Sequence, residues 1–127
     1  MRTGYSFTKS KMHELGIGYV HVIEPRSTHA GGGEDVFEGA PRTSAGFRKA
    51  FGGCFISAGG YTQKDAIETV GKGDADAIAF GRLYISNPDL AERFATGPDA
   101  VLNKYDRATF YGGGAEGYTD YPTSDKA

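Results

Sequence analysis

The chain has 127 residues, with 14 basic against 16 acidic side chains and a formal net charge of −2. That length suits one domain but is about half of the roughly 250 residues a complete (β/α)8 barrel takes. The balance of charge offers no basic face of the kind that draws nucleic acid, and no apolar run approaches the roughly 20 residues of a membrane helix.

In chain order, Ser6 to Leu15 reads as a short helix stopped by Gly16. Tyr19-Val20-His21-Val22-Ile23 is β-branched and aromatic, hence a strand, and Glu24-Pro25-Arg26 ends it because proline cannot donate to a ladder. A polar, glycine-rich loop from Ser27 to about Pro41 follows. Thr43 to Phe51 reads as a second helix closed by Gly52-Gly53, and Cys54 to Ala58 as the next strand. Cys54 is the sole cysteine, so no internal disulfide forms. Its apolar setting predicts a small buried hydrophobe, and the absence of a signal-like N-terminus predicts a reduced, cytoplasmic setting. The final residues suggest no peroxisomal address.

A third helix is expected from Thr62 or Gln63 to Val70, capped by Thr62, with Ala66, Ile67 and Val70 on its apolar side. Ala75 to Phe80 reads as a third strand. Asn87-Pro88-Asp89 opens a last helix to Phe94, with the proline at its first position. Strands alternating with helices imply a parallel sheet, and near-continuous apolar strands imply one covered on both faces. Residues 1–96 thus hold the helix and strand units of a single partial domain, and 97–127 form an irregular tail.

Two strands end in glycine: Ser57-Ala58-Gly59-Gly60-Tyr61 and Ala79-Phe80-Gly81-Arg82. Glycine lets the backbone approach an anion closely, and arginine adds a forked cation. Such endings after strands seven and eight form the phosphate site of many (β/α)8 barrels, where helix N-termini also supply N–H donors. The plainer reading is tight turns, with Arg82 paired to a surface carboxylate. Other candidates are weaker. Gly112-x-Gly114-x-x-Gly117 matches the dinucleotide fingerprint but follows no strand and opens no helix. His13, His21 and His29 are not spaced as metal ligands. His21 sits mid-strand as an expected core histidine, His29 falls in the long loop, and Arg26 either faces the mouth or pairs with Glu24.

Further runs are more specific. They include His21-Val22-Ile23-Glu24-Pro25-Arg26, Phe55-Ile56-Ser57-Ala58-Gly59-Gly60-Tyr61 and Phe80-Gly81-Arg82-Leu83-Tyr84-Ile85-Ser86-Asn87-Pro88-Asp89-Leu90. Asn103-Lys104-Tyr105-Asp106-Arg107, Thr109-Phe110-Tyr111 and Gly117-Tyr118-Thr119-Asp120-Tyr121-Pro122 continue the series. Together they resemble the C-terminal part of the old yellow enzyme family, especially its 12-oxophytodienoate reductase branch. The resemblance implies an FMN-binding (β/α)8 barrel of which these are about strands 6–8. It implies an oxidoreductase that passes hydride from NADPH or NADH through FMN to the C=C bond of a small enone. It places Gly59, Gly60, Gly81 and Arg82 on the FMN phosphate and Phe110 and Tyr111 beside the flavin. It assigns no residue of this sequence to carbonyl polarisation or proton donation, and so names no catalytic residue. It also implies open strand edges, with self-association or pairing with the missing half barrel as consequences. An enzyme portion, a non-catalytic relic that binds FMN or a partner, and another phosphate-binding barrel are the readings in play.

Overall fold

A computed structural model describes residues 11–25 and 42–124. The chain divides into two compact units, Met1–Ala79 and Phe80–Ala127.

The first unit is built on a parallel sheet. Its strands are β1 (Tyr19–Ile23), β2 (Cys54–Ala58) and β3 (Ala77–Ala79), in that spatial order. Tyr19 pairs with Cys54 and Ile23 with Ala58, and Ile56 pairs with Ala77. Parallel neighbours need a crossover, and helices α1 (Ser44–Phe51) and α2 (Gln63–Gly71) lie in those connections. Helix α1 ends as its sequence dictates, at Gly52 in the left-handed region (φ 73°). The expected helix before β1 falls partly outside the described residues; residues 11–14 are helical, and Gly16 stops them at φ 69°. The loop from 27 to 41, with Arg26 and His29, lies outside the described residues.

Side chains alternate across a strand, and this explains several departures from the sequence reading. Phe55 and Ser57 are fully buried, with Phe55 against Phe47 of α1. Cys54, one residue out of phase, lands on the opposite face and is exposed rather than buried. His21 shares that face and is exposed, so it is not a core histidine. Tyr19 and Ile23, on the same face, are 61% and 51% exposed. The sheet is therefore covered on one face, not on both. Helix α2 departs in the same way: its buried stripe runs through Thr69, while Ile67 and Val70 are exposed. Arg42 donates to the Thr69 hydroxyl at 3.1 Å and to Asp65, so a polar anchor sets which side of the helix turns inward. Strand β3 is shorter than expected, and Asp76 before it is engaged at the start of β2. Its carboxylate accepts from Phe55 N at 2.7 Å and pairs with Arg48 at 2.9 Å.

The second unit has little regular structure. Residues read as a loop after Gly81 form a short helix, α3 (Arg82–Ser86), and α4 spans Leu90–Ala95. Asp89, not Asn87, takes the N-cap position of α4, so Pro88 precedes the helix instead of opening it. Asn87 is drawn into the interior, fully buried, where it bonds the last turn of α3. Among its described residues the tail is irregular apart from one 3-10 turn, Arg107–Thr109.

Candidate functional site

In the first unit the residues of interest surround the turn that leaves β2. Gly59 and Gly60 have φ of 105° and 63°, two successive left-handed values that only glycine adopts without strain. Ser57 and Tyr61 flank them, both buried. The Ser57 and Tyr61 hydroxyls stand 2.9 Å apart, and each lies 3.3 Å from Glu24 Oε1.

Glu24 is a carboxylate with 1% exposure. Besides the two hydroxyls it accepts from Ser44 N, Thr43 N and Thr43 Oγ1, each at 2.9 Å. Thr43 and Ser44 are the N-cap and first residue of α1, so a side chain from the end of β1 satisfies donors at that helix's start. Burial alone would raise the Glu24 pKa. The hydrogen bonds from Thr43 and Ser44 outweigh it and hold the carboxyl below its ordinary value. Glu24 stood in the sequence as the residue before a strand-ending proline and as a possible partner of Arg26. A buried acid there has no periodic signature, and its partners lie 19 to 37 residues away.

Helix α2 opens on a capping box. Thr62 Oγ1 accepts from Asp65 N at 3.1 Å, and the Asp65 carboxylate accepts from Thr62 N at 3.4 Å. The cap at Thr62 is as the sequence indicates. The box takes up the N–H groups of Thr62 and Asp65 at this helix start.

In the second unit, Gly81 is the N-cap of α3 with an ordinary φ of −94°. A Cβ built there meets nothing within 4 Å. Among the described residues, neither backbone conformation nor crowding therefore requires glycine at this position. Arg82, next along, donates to the Tyr105 hydroxyl at 3.2 Å, and its guanidinium carbon lies 5.4 Å from the centre of that ring. Tyr105 stacks at a tilt on Phe110, 5.8 Å between centroids, and Phe110 meets Tyr111 edge-on at 6.4 Å. Phe110 is buried while Tyr111 is 79% exposed. Arg82, Phe110 and Tyr111, three of the six residues singled out from sequence, thus form one continuous run through Tyr105.

The motif Asn87-Pro88-Asp89 and its later counterpart Asn103 hold this arrangement. Asn87 Nδ2 donates to Leu83 O at 2.9 Å, and Asn87 Oδ1 accepts from Asn103 N at 2.8 Å. Asn103 Nδ2 donates to Ser86 O and Pro122 O at 2.7 and 2.8 Å. Arg93, buried with Asp89, donates to its carboxylate at 2.7 Å, to Val101 O at 2.7 Å and to Pro122 O at 3.0 Å. Burial opposes the Asp89 charge, but the hydrogen bonds from Arg93 and Ser124 hold its carboxyl well below the usual carboxylate range. Sequence reasoning gave Asn87 and Asp89 a part only in opening the last helix, and gave Arg93 no role. The i,i+4 spacing of Asp89 and Arg93 was the available signal. The Gly112-x-Gly114-x-x-Gly117 run lies in bends and turns, with no strand before it and no helix after it among the described residues.

Comparison with known proteins agrees with the motif reading. Residues 6–100 match the model of the NADH:flavin oxidoreductase / NADH oxidase family. The chain is 45% identical over 117 residues to putative 12-oxophytodienoate reductase 11 of Oryza sativa subsp. japonica, covering 91% of this chain and 30% of that protein. It is 46% identical over 113 residues to 12-oxophytodienoate reductase 2 of Arabidopsis thaliana, covering 88% and 29% respectively. Among solved structures, morphinone reductase superposes with a TM-score of 0.79 at 38% identity, over 98% of this chain and 31% of that one. The old yellow enzyme from Trypanosoma cruzi superposes with a TM-score of 0.78 at 31% identity, over 97% of this chain and 30% of that one. These neighbours are (β/α)8-barrel proteins, and the chain spans about three-tenths of the length of the relatives it matches.

Proposed function

Because the chain belongs to the NADH:flavin oxidoreductase / NADH oxidase family, we propose that it is the FMN-phosphate-binding portion of an ene-reductase of the old yellow enzyme type. In this reading its strands are about the sixth to eighth of a (β/α)8 barrel, and residues 97–127 are the tail of that same domain. The substrate class is a small α,β-unsaturated carbonyl, as the names of the 12-oxophytodienoate reductase relatives suggest. A nicotinamide donor is supported by the complex of morphinone reductase with tetrahydroNAD.

When bound, FMN supplies the means of passing hydride from NADPH or NADH to the enone. The residues of this chain serve to hold it. The family resemblance assigns Gly59, Gly60, Gly81 and Arg82 to its phosphate; the Arg82 guanidinium, oriented by Tyr105, would offset the phosphate charge. Phe110 and Tyr111 give an aromatic surface beside the flavin. The observation that carries this reading is the pair of successive left-handed glycines, Gly59 and Gly60, at the end of β2, a backbone shape in which neighbouring N–H groups can converge on an anion.

A titration of the chain with FMN and with riboflavin, which lacks the phosphate, tests it. FMN should bind more tightly, and Arg82→Gln should erase about 1.5–3 kcal/mol of that preference, roughly 10- to 150-fold, leaving riboflavin affinity unchanged. Equal affinity for the two flavins in the unsubstituted chain would refute the phosphate assignment.

A further inference from the structure

Two successive glycines make a turn that fits an anion and is also loose, since glycine ranges over more backbone conformations than any other residue. A loose turn must be ordered when its ligand arrives, and that ordering subtracts from affinity. In this chain the looseness is removed by a buried cluster behind the turn. Ser57 precedes the glycine pair by two residues and Tyr61 follows it directly, and both hydroxyls converge on one oxygen of Glu24. Their contact with each other, 2.9 Å, closes a triangle. Each hydroxyl has a single proton, so two protons serve three contacts. Whichever way they point, the two flanks of the turn stay tied together.

Three further contacts fix the triangle. Glu24 N donates to Ala58 O at 2.7 Å, carrying the β1–β2 ladder to the edge of the glycines. The other Glu24 oxygen is held by Thr43, and Ser44 N shares the first, so the carboxylate cannot swing away. The Arg42 guanidinium carbon lies 5.6 Å from the centre of the Tyr61 ring, and Arg42 is itself anchored on Asp65 and Thr69. With 1% exposure and five polar contacts, Glu24 presents no open negative face.

We propose that Glu24 is a positioning residue, which through Ser57 and Tyr61 pre-forms the Gly59–Gly60 turn for an anionic phosphate group. This rests on the phosphate reading given above. The residue touches no ligand; it sets the shape of the backbone that does.

The test is the FMN and riboflavin titration on three further variants, with the urea midpoint of each measured beside it. Ser57→Ala with Tyr61→Phe cuts both hydroxyl ties while the amides of Thr43 and Ser44 still hold Glu24. It should weaken FMN binding by about fivefold and leave riboflavin affinity unchanged. Tyr61→Phe alone, the mildest change, should give part of that loss. Arg48→Gln, which cuts the ion pair to Asp76 at the opposite end of β2 and leaves the Glu24 cluster intact, should lower the urea midpoint and keep the FMN-to-riboflavin ratio. If the double variant, or Tyr61→Phe where the double variant does not fold, keeps the full ratio while Arg82→Gln loses it, the positioning role is wrong and the phosphate reading stands. An Arg48→Gln loss of ratio as large as the double variant's would also overturn it, by showing a general loosening. An unsubstituted chain that does not distinguish the two flavins overturns both proposals.

Discussion

The two units of this chain are held by different physics. In the first, three strands pair in parallel register with helices in their connections, and Phe51 and Phe55 are fully buried beside a polar cluster centred on Glu24. In the second, the fully buried side chains include Ser86 and Asn87, and Arg93 is 4% exposed. There, side chains grip backbone carbonyls of a segment that makes almost no regular hydrogen bonds of its own. The lesson is that an irregular tail needs as complete an accounting of its backbone groups as a sheet does, and that polar side chains can supply it.

Breaking each lock separately tests the contrast. The largest effect should come from Phe55→Ala, which empties a fully buried site and should cost about 3–5 kcal/mol in urea unfolding. Next is Asn87→Ala, which strands the Asn103 amide and should cost about 1–3 kcal/mol, with faster hydrogen exchange at Asn103. Asn87→Leu sharpens the comparison, since it restores buried volume without the hydrogen bonds. Recovery of stability in that variant would mean the second unit is held by apolar burial after all. A smaller effect is a slope in pH. A carboxyl held below its ordinary value stabilises the fold above that value and ceases to as pH falls through the lower, folded one. The stability gap between the unsubstituted chain and Glu24→Gln should therefore be widest near neutral pH and close on acidification, as followed by urea midpoints across that range.

The same contrast explains what could be read in advance. Strands β1 and β2 and helix α1 announce themselves by β-branched runs and glycine stops, and their bounds agree with the sequence reading. Which face of each element turns inward was less legible. Cys54 and His21 look like core residues because their neighbours are apolar, but period-2 alternation sends them outward. Ile67 and Val70 look like a helix's buried side, yet Arg42, 27 residues before Thr69, decides the orientation. In the second unit, Asn87, Asp89 and Asn103 were visible only as a motif that resembles a family. Their roles depend on distant partners, Pro122 O for Asn103 and Ser124 N for Asp89, 19 and 35 residues away, which no local pattern encodes. Of the candidate site, the glycines and Arg82 stood out by their place at strand ends. Glu24 did not, because its work is done from behind the turn.

The account's central claim is that the glycine turns and Arg82 take the phosphate of a flavin nucleotide. Residue-resolved NMR of the isotopically labelled chain, titrated in parallel with FMN and riboflavin, puts it to the question most directly. The amides of Gly59, Gly60 and Gly81 and the Arg82 side-chain Nε–H should shift with FMN and stay still with riboflavin. Shifts that are identical for the two flavins, or that appear elsewhere while these four groups do not move, would contradict it.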